Sequence, residues 1–119
     1  MKIKSFRDLD VWRLGKRITL AVYKVTASFP KTELYGLVAQ MRRSAVSIPS
    51  NVAEGFNRFH NKEYRRFLYM ALGSCGELET QVEVSCDLGY LDTTARHQIL
   101  EEIDHESRML RNLVKKLSV

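Results

Sequence analysis

The stretch QMRRSAVSIPSNVAEG, residues 40–55, and the stretch KEYRRFLYMALGSCGELET, residues 62–80, decide the fold of this chain. Mostly polar residues recur in both stretches at spacings of three and four, and residues so spaced share one face of a helix. In the first stretch these residues are Gln40, Arg43, Ser47, Asn51 and Glu54, and in the second they are Glu63, Arg66, Met70, Ser74 and Glu77. The pattern predicts two helices with facing stripes.

An antiparallel hairpin of these two helices, turning near His60, brings opposite charges together. In that register Arg43 lies level with Glu77, and Glu54 lies level with Arg66. An unpaired charge close to a helix seam is costly. The sequence therefore predicts two structural ion pairs across the hairpin, Arg43–Glu77 and Glu54–Arg66.

Four amphipathic helices account for nearly the whole chain, because apolar residues recur at helical spacing through it. The predicted helices span about residues 9–28, 32–54, 61–88 and 93–117. Phe29-Pro30, Gly55 and Gly89 are the residues expected to end the first three. Four helices with short connections predict an all-α, up-down-up-down antiparallel four-helix bundle, a single domain over residues 1–119.

Three features depart from the regular pattern. Pro49 lies inside the second helix, where it removes a backbone hydrogen bond and is expected to kink the helix. Small residues around Gly73 and Ser74, level with Ser47, are expected to let the second and third helices approach closely. Glu106 interrupts the apolar stripe of the fourth helix, so that it is either exposed or paired with a basic residue of another helix.

Composition and charge indicate a small basic globular protein. The chain has 119 residues and a net charge of +5, and eight Lys or Arg against two Asp precede Thr32. No apolar run reaches the roughly 20 residues that span a bilayer, and the first residues do not form a secretory signal. Cys75 and Cys86 fall on apolar helix positions and are expected to be free thiols. These features predict a cytoplasmic protein with no membrane partner.

The sequence carries no recognisable catalytic constellation. It has no phosphate-binding glycine loop, and its three histidines are isolated from one another. Ser44, Ser47 and Ser74 have no adjacent histidine that would activate them. We therefore expect a protein that is not an enzyme and that holds no cofactor and no metal.

Basic side chains on the first helix and around the turn between the second and third helices are the candidate binding residues. They are Arg7, Arg13, Lys16, Arg17, Arg42, Arg58, Lys62 and Arg65. Scattered cations bind the phosphate oxygens of nucleic acid without reading its sequence. Phe56, Phe59 and Tyr64 lie among the cations of the turn and are suited either to stacking unpaired bases or to closing the turn itself.

The same segments resemble the four-helix-bundle family named for proteins encoded within intervening sequences of bacterial 23S rRNA genes. The resemblance is carried by residues 37–58 and 62–91 and by FRDLDVWRLGKRI at residues 6–18, so it covers nearly the whole chain. The matching positions are Gln40, Arg42, Arg43, Ser47, Pro49, Asn51, Glu54, Gly55, Glu63, Arg65, Arg66, Gly73, Ser74, Glu77 and Glu79. The resemblance implies a bundle that assembles into a homo-oligomeric ring, a homopentamer. It also suggests similarity to accessory proteins of diversity-generating retroelements, which are basic pentamers that bind nucleic acid and a reverse transcriptase.

Two functions remain open from the sequence. The first is a basic oligomer that binds nucleic acid, with RNA as the expected ligand. The second is a protein-interaction scaffold whose basic first helix docks on Glu79, Glu83 and Asp87 of a neighbouring copy. Raising the salt concentration separates them, because it should weaken RNA binding in the first case and break the assembly in the second.

Overall fold

The computed structural model describes residues 2–117 and consists of four α-helices joined by short segments. They are α1 Asp10–Thr26, α2 Ala39–Phe56, α3 Asn61–Asp87 and α4 Thr93–Lys116. Helix α1 packs against α2 and α4, and α3 packs against the same two helices. No strand occurs within residues 2–117. The predicted all-α four-helix bundle is confirmed.

The core runs along the bundle axis and takes about one apolar side chain per turn from each helix. Its fully buried members include Ile18, Val22, Met41, Ala45, Ile48, Val52, Leu68, Ala71, Leu78, Val82, Ile103 and Leu110. The two cysteines are free, and Cys75 is buried in this core. None of the helices in residues 2–117 is long and apolar enough to cross a membrane.

The start of the second helix differs from the prediction. Helix α2 begins at Ala39, and the residues before it form a 3-10 turn at Lys31–Glu33 and a π turn at Leu34–Val38. Gly36 interrupts the helical backbone with φ −107° and ψ −110°. The Glu33 carboxylate accepts hydrogen bonds from the backbone N–H of Leu37 and the hydroxyl of Tyr90, each at 3.2 Å. These bonds hold the segment in its irregular path.

Pro49 is accommodated inside α2 by a side chain of the neighbouring helix. Helix α2 is continuous through this buried proline. The carbonyl of Ala45, four residues earlier, cannot receive the usual helical hydrogen bond because proline has no N–H. The Thr19 hydroxyl of α1 lies 3.0 Å from that carbonyl oxygen and 2.8 Å from the carbonyl oxygen of Gly15, so its one proton is shared between the two. The missing hydrogen bond is thus partly replaced from α1.

The α2–α3 hairpin has the predicted register. The hydroxyls of Ser47 and Ser74 are hydrogen-bonded to each other across the seam. Nearer the turn, Gly55 lies so close to α3 that an added Cβ would be 2.8 Å from the Cβ of Phe67. Gly73 faces open space, however, so the close approach depends on Ser47, Ser74 and Gly55 and not on that glycine.

The two ion pairs predicted across the hairpin are wrong. Within residues 2–117, Glu54 pairs with Arg58 at 3.1 Å, and Arg66 pairs with Glu63 at 3.7 Å. Neither an Arg43–Glu77 nor a Glu54–Arg66 ion pair forms in the described part of the chain. The Glu77 carboxylate instead accepts a hydrogen bond from Ser44. All four predicted partners are exposed, and exposed charges on a helix readily pair with residues three or four positions away.

Candidate nucleic-acid interface

The antiparallel bundle separates basic from acidic residues along its long axis. Cutting each helix near its middle defines a basic end, residues 2–17, 48–74 and 105–117, and an acidic end, residues 18–47 and 75–104. The basic end holds 14 Lys or Arg against five Asp or Glu, a net charge of +9. The acidic end holds five against nine, a net charge of −4. The charge of the chain, +5 in total, is therefore distributed very unevenly between the two ends.

Contacts between distant parts of the chain establish this arrangement. At the basic end, Nη1 of Arg65 donates to the backbone carbonyl of Leu117 at 3.3 Å, which joins the start of α3 to the end of α4. At the acidic end, the rings of Phe29 and Tyr90 lie 5.5 Å apart, joining the segment after α1 to the segment after α3. The polarity is thus a property of the folded bundle.

Seven of the eight predicted binding residues lie at the basic end. They are Arg7, Arg13, Lys16, Arg17, Arg58, Lys62 and Arg65. Arg42 lies at the acidic end, half-buried, where its Nε donates to the Thr26 hydroxyl at 3.0 Å and its guanidinium stacks 4.6 Å from the ring of Tyr23. Arg43, predicted to be used in an ion pair, is exposed. The prediction thus reversed the roles of these two arginines.

Two of the seven have carboxylate partners that reduce their availability to phosphate. Nε of Arg17 lies 3.0 Å from Glu102. Arg58 pairs with Glu54 and also lies over the ring of Phe67, 4.7 Å from its centre. Within residues 2–117, no ion pair joins a carboxylate to the other five. Those five are Arg7, Arg13, Lys16, Lys62 and Arg65.

Aromatic rings support the cations at the start of α1. The rings of Phe6 and Trp12 pack at 5.3 Å. The guanidinium of Arg7 lies 4.6 Å from the centre of the Phe6 ring, and Nζ of Lys16 lies 5.4 Å from that of Trp12. Arg13 donates from Nε to the backbone carbonyl of Arg7 at 2.9 Å. The two packed rings thus support the charges of Arg7 and Lys16, and a ring or a backbone carbonyl adds no formal negative charge.

Seven further cations of the basic end were not among the predicted binding residues. They are Lys2, Lys4, Arg66, Arg108, Arg111, Lys115 and Lys116. Lys115 and Lys116 occupy the last turn of α4, where cations also interact favourably with the helix dipole. Counting charge by bundle end, and not along the chain, would have found this group, since the predicted topology already places the end of α4 beside the start of α1.

The turn between α2 and α3 presents one aromatic ring to solvent and uses the other two for packing. Phe56 and Tyr64 meet edge to face at 6.1 Å and close the turn. Phe59 is 95% exposed at the tip of the turn. Its only ring contact within the described residues is with His60, at 5.0 Å and 83°.

Glu106 is neither exposed nor paired, contrary to both expectations. It is fully buried, and both carboxyl oxygens lack a hydrogen-bond partner within residues 2–117. Its Oε2 faces Gly15 of α1, which Ile48 and Pro49 of α2 also approach. Burial raises the pKa of Glu106 to about 8. Burial therefore favours the neutral form of this carboxyl. Within residues 2–117, no cluster of three or more His, Cys, Asp or Glu side chains could hold a metal ion.

The acidic patch required by the scaffold hypothesis is partly used within the chain. Glu83 accepts two hydrogen bonds from Arg96, at 2.6 and 3.0 Å, and this arginine lowers the pKa of the Glu83 carboxyl. Glu79 and Asp87 are exposed. The patch therefore offers less free negative charge than its composition indicates.

Fold and charge together define a small basic four-helix-bundle protein. Residues 7–112 match the family described as 23S rRNA-intervening sequence protein, and the chain belongs to that family. The predicted resemblance is confirmed.

A solved structure is also similar to this chain. It is the crystal structure of a protein with unknown function from the S23 ribosomal protein family of Bacteroides thetaiotaomicron VPI-5482. The two are 18% identical over 88% of this chain and 98% of that one, with a TM-score of 0.80, which shows a common fold. No curated protein matches the chain.

Proposed function

We propose that this protein binds nucleic acid, with RNA as its ligand, through Lys and Arg contacts to the phosphate backbone. The observation that carries the proposal is the net charge of +9 at one end of a bundle whose other end carries −4. A field of this kind attracts a polyanion and orients it toward one end of the protein. The family description, which refers to 23S rRNA, supports RNA as the ligand.

The contacts would be sequence-independent. Lys and Arg on flexible stems reach phosphate oxygens, and Arg presents a planar fork that suits two of them. Five cations without carboxylate partners are available on each protomer: Arg7, Arg13, Lys16, Lys62 and Arg65. If each neutralises one phosphate of a single strand, the logarithm of the binding constant should fall with the logarithm of salt concentration at a slope of about −3.5 per protomer. No residue acts as a catalyst in this proposal, and the site of action is the cytoplasm.

Self-assembly would strengthen such binding. Exposed apolar side chains of α1, of α2 and of the segment between them form a groove, lined by Tyr23, Leu34, Tyr35 and Val46. Burying this groove against another copy fits a cyclic homo-oligomer, the homopentamer that the family resemblance implies. A ring presents several basic ends at once, and multivalency adds weak contacts into a useful affinity. A reverse transcriptase is a further partner suggested by the resemblance.

A salt series tests the proposal. Filter binding of the full chain to a structured RNA should give measurable affinity at low salt and a steep linear decline on logarithmic axes. Light scattering at the same salt concentrations should show an assembly of unchanged mass. The absence of RNA binding at low salt would contradict the proposal, and loss of the assembly with rising salt would favour the scaffold function.

A further inference from the structure

Phe59 occupies a position that folding does not require. Single exposed apolar residues are common on protein surfaces, so exposure alone decides nothing. Here the turn is closed without this residue, by the edge-to-face contact of Phe56 and Tyr64 and by the fit of Gly55 against α3. Of the five phenylalanines, Phe29 and Phe67 are buried and Phe6 and Phe56 are half-buried, whereas Phe59 is 95% exposed.

The surroundings of Phe59 are cationic. The turn lies at the basic end, between Arg58 and Lys62, and α3 continues with Arg65 and Arg66. Arg58 lies over Phe67 and pairs with Glu54, so it does not cover the Phe59 ring. Within residues 2–117, the Phe59 ring meets one other ring, that of His60, in an edge-on contact. A ligand attracted by the charge therefore meets an uncovered aromatic surface.

We infer that Phe59 stacks on an unpaired base of the bound nucleic acid, while neighbouring Lys and Arg hold its phosphates. The inference rests on the proposed function and narrows its ligand class. In a duplex the faces of the bases are covered by their neighbours in the stack, whereas single strands, loops and bulges offer them to aromatic side chains. The ligand is thus a nucleic acid with unpaired bases, and the base is held by its face without regard to its identity.

The test compares Phe59→Leu, Phe59→Trp and the unmodified chain for binding to an unstructured single-stranded RNA and to a duplex RNA of equal length. Leucine keeps an apolar side chain and removes the aromatic face, whereas tryptophan enlarges that face. Phe59→Leu should weaken single-strand binding by roughly 5- to 150-fold and leave duplex binding unchanged. Phe59→Trp should bind the single strand at least as tightly as the unmodified chain.

Leu88→Ala is the control for the loss of an exposed apolar side chain, because Leu88 is 54% exposed, lies at the acidic end and does not line the apolar groove. This variant should bind the single strand like the unmodified chain, and its assembly should have the same mass as that of the unmodified chain. The inference is overturned if Phe59→Leu binds the single strand like the unmodified chain or weakens binding of both RNAs equally. It is also overturned if Phe59→Trp or Leu88→Ala weakens single-strand binding as much as Phe59→Leu does. Binding of neither RNA by the unmodified chain would instead reject the proposed function itself.

Discussion

The carboxyl group of Glu106 lies directly against the backbone of Gly15. A Cβ added to Gly15 would stand 3.1 Å from Oε2 of Glu106, so a larger residue at this position would require the carboxyl to shift. The carboxyl is fully buried and lacks a hydrogen-bond partner within the described residues. Its protonation is therefore coupled to folding, because ionisation in this position would place an unpaired charge in the core.

This coupling predicts that the protein loses stability as the pH rises. The pKa of Glu106 is raised by burial from 4.5 to about 8 in the folded state. The unfolded chain releases the proton at lower pH, so the stabilisation is fully present below about pH 4.5 and is lost progressively toward pH 8. The loss should amount to a few kcal/mol, roughly 1.4 kcal/mol for each unit of pKa shift. Urea denaturation at several pH values measures it.

Glu106→Gln is the control for this prediction. Glutamine keeps the shape of the side chain and cannot ionise, so the stability of the variant should change little over the same pH range. Cys75 does not interfere, because burial raises the pKa of its thiol to about 12. A variant that retains the full pH dependence of the unmodified chain would show that another group is responsible.

A pair of glycine substitutions tests the packing of the α2–α3 hairpin. Gly55→Ala should lower the free energy of unfolding by about 1–3 kcal/mol, because the new Cβ would lie 2.8 Å from the Cβ of Phe67. Gly73→Ala should raise it by about 0.5–1 kcal/mol, since alanine favours helix more than glycine does and nothing lies within 4 Å. Thermal or urea unfolding distinguishes the two. Equal effects from both substitutions would contradict the hairpin geometry.

The exposed apolar groove predicts self-association. Light scattering at micromolar concentration should give a multiple of the chain mass of 13.8 kDa. Replacing Tyr35 and Val46 together by Asp should shift the mass to that of one chain, because buried unpaired carboxylates oppose association, while circular dichroism retains its helical signal. A mass of one chain for the unmodified protein would remove the ring from the proposal.

Periodicity was sufficient to predict the four helices and the register of α2 against α3. Heptad spacing is a property of the chain, and the Ser47–Ser74 contact follows from it. The ion pairs were not predictable in this way, because an exposed charged side chain has several possible partners within reach. Glu54, for example, pairs with Arg58, four residues away on the chain. The irregular start of α2 depends on the contacts of Glu33 with Leu37 and with distant Tyr90, which a local pattern does not contain.

The candidate site was predicted only in part, because its members come from three separate segments. Arg7, Arg13 and Lys62 were expected from their local charge, but the contribution of α4 becomes visible only when the helices are arranged in space. The burial of Glu106 was also not predictable, since a charged residue on an apolar stripe is usually paired or exposed. Here Gly15 has no side chain, and the carboxyl of Glu106 lies beside its backbone.

The most direct test of an interface at the basic end compares two variants that carry the same change of charge at opposite ends of the bundle. Lys16 and Lys62 are exposed lysines of the basic end, and Lys24 and Lys31 are exposed lysines of the acidic end. The double variant Lys16→Glu, Lys62→Glu and the double variant Lys24→Glu, Lys31→Glu therefore have the same net charge. Filter binding to one RNA at one low salt concentration compares them. We predict that the first loses roughly tenfold or more in affinity, because two phosphate contacts become repulsive, and that the second stays within about threefold of the unmodified chain, since its charges lie away from the bound RNA. Equal weakening of both variants would contradict an interface at the basic end.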